Sequence, residues 1–139
     1  MLDYNGTLAF DGMLLPGVVD MLGRLADRLA LHVVTADTFG HAADALHGLP
    51  CRLAVLPPGN QNAAKLAYVQ GLGASRCVCI GNGRNDRAML AAARLGIAVV
   101  QREGAAVETV LAARMLCPDI LSALELLIEP KRLIATLRD

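Results

Sequence analysis

Short apolar runs alternate with amphipathic stretches along almost the whole chain. The apolar runs are only a few residues long, which is typical of buried strands. They lie at residues 2–3, 30–36, 51–56, 77–80, 96–100 and 115–117. Between them, apolar residues recur at helical spacing, as in Val18, Leu22, Leu25 and Leu29. Helices are therefore predicted from residues 16–17 onward and over residues 40–47, 60–72, 85–93, 105–113, 120–128 and 130–137.

Strands that alternate with helices predict βαβ units, and hence a mainly parallel sheet with helices on both faces. We expect a three-layer, Rossmann-like α/β fold in a single domain over residues 1–139. One antiparallel exception is predicted at residues 7–15, a small hairpin whose turn is Asp11–Gly12. The strand at 2–3 is short for a central strand, which typically has about five or six residues. We therefore expect about three to five further apolar residues upstream of Met1.

Composition narrows the class of protein. Hydrophobic residues make up 55% of the chain and charged residues 19%, which is typical of a globular protein. The formal net charge is zero, so no basic excess indicates nucleic-acid binding. No apolar run approaches the roughly 18 residues of a membrane span, and no signal-peptide pattern is present. A cytoplasmic location is expected, with the four cysteines reduced.

Two polar blocks directly follow predicted strands. Residues 3–7 read Asp-Tyr-Asn-Gly-Thr, and residues 81–86 read Gly-Asn-Gly-Arg-Asn-Asp. The carboxyl ends of parallel strands share one edge of the sheet, where ligands bind in open α/β folds. Each block alone has an ordinary reading, since Asp3 could cap a turn and Asn82 to Asp86 could cap a helix. Their pairing favours a common site.

The two blocks resemble the first and last signature motifs of the haloacid dehalogenase-like phosphohydrolases, which read Asp-x-Asp-x-Thr and Gly-Asp-Gly-x-x-Asp. Two positions differ, because Asn5 and Asn82 stand where the family usually has aspartates. Within the superfamily, the motifs look most like those of the soluble P-type ATPase-like branch. The chain lacks membrane helices and a nucleotide-binding insertion, so ion pumping is excluded.

The resemblance implies a set of roles at the site. Asp3 would be the nucleophile that forms an aspartyl-phosphate, and Asn5 would occupy the place of the family's acid–base residue. Thr35 and Lys65 would hold the phosphate. Without the resemblance, Thr35 would be interpreted as an ordinary strand residue and Lys65 as a solvated lysine on a helix. Further phosphate contacts are implied for Tyr4, Gly6, Thr7 and Ala36. Mg²⁺ would be held by Asp3, the Asn5 carbonyl, Asn82 and Asp86.

Two functions remain open at this point. The first is a Mg²⁺-dependent phosphohydrolase, slow because the Asn5 amide cannot shuttle a proton. The second is a phosphate- or nucleotide-binding or regulatory protein that kept the fold without efficient chemistry. A nicotinamide-binding Rossmann domain is disfavoured, because Asp86 occupies the place of the third glycine in that fingerprint.

The motif spacing leaves little room for a cap domain. Asp3 and Thr35 are 32 residues apart, and Thr35 and Lys65 are 30 apart, which a helix and a strand fill in each case. The hairpin at residues 7–15 would then be a flap over an open site. Its apolar residues favour a homo-oligomer with the hairpin at the interface. The partner expected at the site is a phosphorylated substrate, whose identity the sequence does not reveal.

Overall fold

The computed structural model describes residues 1–36 and 40–138. The strands of this part of the chain are β1 (Leu2–Asp3), β2 (Ala9–Phe10), β3 (Met13–Leu14), β4 (His32–Thr35), β5 (Arg52–Val55), β6 (Val78–Gly81), β7 (Leu95–Val99) and β8 (Met115–Cys117). Six of them form one parallel sheet in the order β5-β4-β1-β6-β7-β8. The predicted fold class is confirmed, with the Asp3 strand inside the sheet and the strand before Asn82 beside it.

Helices surround this sheet. They are α1 (Val18–Ala26), α2 (His41–Ala45), α3 (Gln61–Leu72), α4 (Arg87–Ala92), α5 (Val107–Ala112), α6 (Ile120–Ile128) and α7 (Pro130–Leu137). Successive side chains of a strand point to opposite faces, so the sheet has an apolar core on each side. Val33 packs into the core on the α1 and α6 side, whereas Val34 packs into the core on the α3 and α4 side. Burial on both faces explains why these strands read as continuous apolar runs.

The helix predicted over residues 85–93 begins differently from the expectation. Residues Arg84–Asp86 form a 3₁₀ turn, and α4 begins only at Arg87. The Asp86 carboxylate accepts hydrogen bonds from the backbone N–H groups of Asn82 and Gly83, at 3.0 and 2.9 Å. A side chain that returns to the loop in this way tightens the turn, so the regular helix starts later.

The predicted hairpin is β2 and β3, which pair antiparallel. Asp11 and Gly12 have φ values of 49° and 78°. Two consecutive left-handed residues are typical of the type I′ turn that suits a two-residue hairpin loop. The Tyr4 hydroxyl donates to the Gly12 carbonyl at 2.8 Å, which ties the hairpin tip to the segment after β1.

The described residues contain no cap domain. One helix lies between the hairpin and β4, and α2 is the only helix given for the residues described between β4 and β5. None of the described helices combines the length and the apolar character that a membrane span requires. In the part of the chain that the structure describes, no additional domain covers the edge of the sheet that carries the motif residues.

Candidate active site

Three strands deliver polar side chains to one edge of the sheet. Asp3 ends β1, Thr35 ends β4, and Asn82 follows β6 directly. The parallel register pairs Asp3 with Val34 and Leu2 with Ile80, so the three strand ends lie side by side. All three side chains are buried although they are polar. Buried polar groups need partners, and the site supplies them.

Lys65 joins the two aspartates of the site. Its position on α3 directs the ammonium group between the carboxylates, and Nζ lies 2.6 Å from Asp3 Oδ1 and 2.6 Å from Asp86 Oδ1. The lysine side chain is 1% exposed and that of Asp86 is fully buried. The two carboxylates therefore share one cation. Because an oxygen of each lies 2.6 Å from the same nitrogen, the carboxylates are close enough to belong to a single site. With both aspartates ionised, this cluster carries one net negative charge.

Burial dominates the ionisation of Asp3. The pKa of Asp3 is raised from 3.8 to about 7, first by desolvation and then by the nearby charge of Asp86, while Lys65 and Thr7 oppose the shift. Burial opposes the charged form of Lys65, but the charges and hydrogen bonds of Asp3 and Asp86 outweigh it and raise the pKa of Lys65. The lysine is therefore protonated at neutral pH, whereas Asp3 titrates close to neutrality.

Asp86 organises the loop after β6. One of its oxygens accepts from Lys65, and the other accepts the backbone N–H groups of Asn82 and Gly83. Neither oxygen is without a hydrogen bond. The carboxylate therefore holds the loop in place and also contributes negative charge beneath the site.

The side chain of Asn82 is oriented by its neighbours. Its Nδ2 donates to the Gly104 carbonyl at 3.1 Å. This contact turns Oδ1 toward the Thr7 hydroxyl, 3.5 Å away. The same hydroxyl donates to Asp3 Oδ2 at 3.1 Å. Asp3 Oδ2 and Asn82 Oδ1 thus both lie next to the Thr7 hydroxyl oxygen.

Oxygen donors that converge in this way suit a hard cation such as Mg²⁺. Two such donors converge here, the Asp3 carboxylate and Asn82 Oδ1. The main-chain carbonyl of Asn5 stays a predicted ligand. The described residues contain no cluster of three histidine, cysteine, aspartate or glutamate side chains that could hold a metal ion. The donor set therefore fits a weakly held hydrated Mg²⁺ better than a tightly bound transition metal.

Four other predicted residues lie on the segments that follow β1 and β4. Asn5 is exposed, and its backbone forms a bridge with Ala9. Ala36 follows β4 and is exposed as well. The Tyr4 hydroxyl donates to the Gly12 carbonyl at the hairpin tip, and phosphate binding by Tyr4 stays a prediction. Gly6 has a φ of 77°, a left-handed conformation that glycine adopts without strain.

The loop after β7 contributes residues that the sequence analysis missed. Gln101 Nε2 donates to the carbonyls of Gly6, at 3.3 Å, and Thr7. Its Oε1 accepts the backbone N–H of Ile120 at 3.3 Å. Gln101 thus connects the segment after Asp3 to the start of α6. A signal was present, because this loop also follows the carboxyl end of a parallel strand.

A methyl group on Gly6 would lie 2.6 Å from Asn82 Nδ2, 2.7 Å from Asn82 Oδ1 and 2.8 Å from Glu103 Oε2. The missing side chain therefore leaves room for the Asn82 amide and the Glu103 carboxylate to approach the same point. No motif in the sequence indicated Glu103.

Comparisons with known proteins concern the family and the fold of this chain. No model of a known protein family matches the sequence. The chain is 40% identical over 85 residues to Uncharacterized protein MJ0073 of Methanocaldococcus jannaschii, across 58% of this chain and 91% of that protein.

Two solved structures illustrate the similarity of fold. One belongs to a study of the catalytic domain of the CPx-ATPase CopB-B, at 21% identity and a TM-score of 0.67. The match covers 83% of this chain, which spans just under half (46%) of that one. The other is 3-deoxy-D-manno-octulosonate 8-phosphate phosphatase from Moraxella catarrhalis, in complex with magnesium, phosphate and KDO. It has 17% identity and a TM-score of 0.61, with 99% of this chain and 91% of that chain covered.

Proposed function

Because this chain belongs to the same family as the Methanocaldococcus protein and has the haloacid dehalogenase-like fold, we propose that it is a Mg²⁺-dependent phosphohydrolase that acts through Asp3. The observation that carries the proposal is the buried Asp3 carboxylate between Lys65 and Thr7, at 2.6 and 3.1 Å. A carboxylate held from both sides is positioned to act as a nucleophile. The fold's phosphatase neighbours, one of them solved with magnesium and phosphate, support the same reaction class.

Electrostatics explain why a divalent cation is needed. The cluster of Asp3, Asp86 and Lys65 carries one net negative charge when both carboxylates are ionised, and a phosphate monoester would be repelled. When bound, Mg²⁺ supplies the charge that neutralises the phosphate oxygens. In our proposal it is held by Asp3, the Asn5 carbonyl and Asn82. Asp86 as a direct ligand stays a prediction, and each of its oxygens, like those of Asp3, already accepts a hydrogen bond within the protein.

The protein's own residues then have separate tasks in the proposed reaction. Asp3 forms a bond from a carboxylate oxygen to phosphorus as the bond from phosphorus to the ester oxygen breaks. Lys65 keeps Asp3 oriented and offsets negative charge, and Thr35 with the backbone at Ala36 would bind the phosphate oxygens. Water afterwards attacks the aspartyl-phosphate, releasing inorganic phosphate and regenerating Asp3.

Asn5 determines which substrates would react fastest. A leaving oxygen that departs as an alkoxide needs a proton, and an amide does not supply one. Loss of a positioned general acid typically costs about 10² to 10⁴ in rate. Aryl and acyl phosphates, whose leaving groups need little protonation, are therefore the favoured class. The aspartyl-phosphate should also persist, since nothing at position 5 activates the attacking water.

The test compares the wild type with Asp3→Asn and Asn5→Asp on an aryl phosphate and a sugar phosphate, with Mg²⁺ or with EDTA. Asp20→Asn, which changes an exposed aspartate on α1, is the matched control. We expect slow aryl phosphate hydrolysis that requires Mg²⁺, faster hydrolysis by Asn5→Asp, and none by Asp3→Asn. Acid quenching followed by peptide mass spectrometry should find a phosphoryl group on Asp3.

Activity that survives Asp3→Asn, with Asn5→Asp unchanged, would exclude the aspartyl-phosphate mechanism. Phosphate binding without turnover in any variant would instead favour a phosphate-binding or regulatory protein.

We also propose that the protein forms a homo-oligomer through the hairpin at residues 7–15. In support, the Met13 side chain is 75% exposed at the hairpin, although it is large and apolar. Sedimentation of the wild type and of Met13→Lys checks this, with a smaller species expected for the variant. A wild-type monomer at tens of micromolar would contradict the proposal.

A further inference from the structure

Because Asn82 is neutral, the proposed metal site has one negative charge fewer than a site with an aspartate at this position. The family motif that the chain resembles has an aspartate at this position, and an amide supplies an oxygen but no charge. Mg²⁺ binding depends on the charge of its surroundings as well as on its donors. A compensating carboxylate would have to come from elsewhere in the fold.

The structure brings one such carboxylate to this point. Glu103 lies on the loop after β7, and the position of a Gly6 methyl group would be 2.8 Å from Glu103 Oε2 and 2.7 Å from Asn82 Oδ1. The amide oxygen and the carboxylate therefore both border one small gap beside Gly6. A side chain at position 6 would fill that gap, so Gly6 is what allows the approach.

The backbone around Glu103 is attached to Asn82 itself. The Gly104 carbonyl accepts from Asn82 Nδ2 at 3.1 Å, and the Ala106 N–H donates to the Asn82 carbonyl at 2.9 Å. These contacts hold the loop against Asn82 independently of the Glu103 side chain. Among the described residues, the ion pairs found include no partner for Glu103. Its charge is thus available to the site.

We propose that Glu103 supplies the negative charge that Asn82 lacks and so raises the affinity of the site for Mg²⁺. The inference rests on the metal site of the proposed function. Glu103 acts through space on the cation and is a charge-compensating residue, with no assigned part in bond formation. A unit charge within about 5 Å of a divalent cation changes binding by roughly tenfold even at the dielectric constant of water.

The test measures ion binding without turnover. Isothermal titration calorimetry would compare Mg²⁺ binding to the wild type, Glu103→Gln and Asp20→Asn. Asp20 is an exposed carboxylate on α1, so its variant removes the same charge elsewhere. We expect Glu103→Gln to bind Mg²⁺ roughly tenfold more weakly at low ionic strength, with a smaller loss at high salt because Glu103 is exposed. Asp20→Asn should match the wild type.

The direction of the change in affinity distinguishes loss of the Glu103 charge from a general disturbance of the structure. Without metal, Glu103→Gln should bind inorganic phosphate more tightly than the wild type, because a negative charge has been removed beside the site. A general structural lesion would weaken both ions. Mg²⁺ affinity that is unchanged in Glu103→Gln, or weakened binding of both ions, overturns the inference. So does a wild type that binds no Mg²⁺ at millimolar concentrations.

The outcome is independent of catalysis. If Glu103→Gln shows the expected opposite shifts but no variant hydrolyses any phosphate ester, the charge assignment stands and the phosphohydrolase proposal fails. If hydrolysis occurs and the Mg²⁺ affinities are equal, only the role of Glu103 is rejected.

Discussion

Replacing Lys65 with methionine should leave two buried carboxylates facing each other without a cation. The ammonium group lies 2.6 Å from an oxygen of each aspartate, and methionine keeps a similar unbranched stem without the charge. Lys131, on α7, is the chain's other lysine and is exposed. Lys131→Met is therefore a matched control that removes the same charge from the surface.

The expected loss of stability is large because all three groups are buried. Removing one partner of a buried ion pair typically costs about 3 to 5 kcal/mol. A domain of this size has a free energy of unfolding of about 5 to 15 kcal/mol, so the variant could lose a large share of it. Lys131→Met should stay within about 0.5 kcal/mol of the wild type.

The loss should depend on pH in a defined direction. The pKa of Asp3 is raised from 3.8 to about 7 even with Lys65 present, and removing the ammonium group raises it further. Between those values the folded state binds more protons than the unfolded state, so stability falls as pH rises. Below pH 7 this effect is the same in the wild type and in Lys65→Met, so the deficit should be nearly constant there. Above pH 7 the wild-type Asp3 is ionised in both states while the variant still holds its proton when folded, so the deficit should grow toward pH 8 by up to about 1.4 kcal/mol per pH unit.

Urea unfolding followed by circular dichroism, at several pH values between about 5 and 8, measures this deficit by linear extrapolation. A deficit below about 1 kcal/mol near pH 8 would refute the reasoning, since that is the range of exposed ion pairs. A deficit that grows toward acid pH, or an equal loss in Lys131→Met, would refute it as well.

Three further outcomes are expected. Gly6→Ala should be destabilised by more than Gly48→Ala and should bind Mg²⁺ more weakly; both glycines have φ near 76° (77° and 75°), but nothing lies within 4 Å of a methyl group on Gly48. Equal unfolding free energies in urea would contradict this. Mg²⁺ affinity should fall about tenfold per pH unit below the Asp3 pKa of about 7, because the proton competes with the metal; a flat calorimetric profile from pH 7 to 5.5 would count against Asp3 as a ligand. Gln101→Glu should lose the bonds to the Gly6 and Thr7 carbonyls but keep the acceptor for Ile120, and should lower kcat for an aryl phosphate by roughly tenfold; an unchanged kcat would show that this contact does not position the site.

Much of the architecture was readable from the sequence. The alternation of apolar runs and amphipathic stretches predicted the parallel sheet, because strands buried on both faces must be apolar throughout. The Asp-Gly pair predicted the hairpin turn, because both positions take left-handed backbone. Asp3 and Asn82 could be placed at one edge, since carboxyl ends of parallel strands always meet there.

Element boundaries near the site were less predictable. The helix expected from residue 85 begins at Arg87, because the Asp86 carboxylate turns back to the N–H groups of Asn82 and Gly83. A propensity pattern describes which residues favour a helix. It does not describe which side chain will compete for the backbone of a particular loop.

The sequence by itself determined the order of the strands and helices, the hairpin, and the edge at which Asp3, Thr35 and Asn82 would lie. These follow from local patterns, which depend on residues close together in the chain. Tertiary structure alone decided that Lys65 bridges Asp3 and Asp86, that the pKa of Asp3 rises to about 7, and that Glu103 approaches Asn82 across Gly6. Desolvation and Coulomb interactions depend on distances in space, and residues far apart in the sequence acquire those distances only when the chain folds.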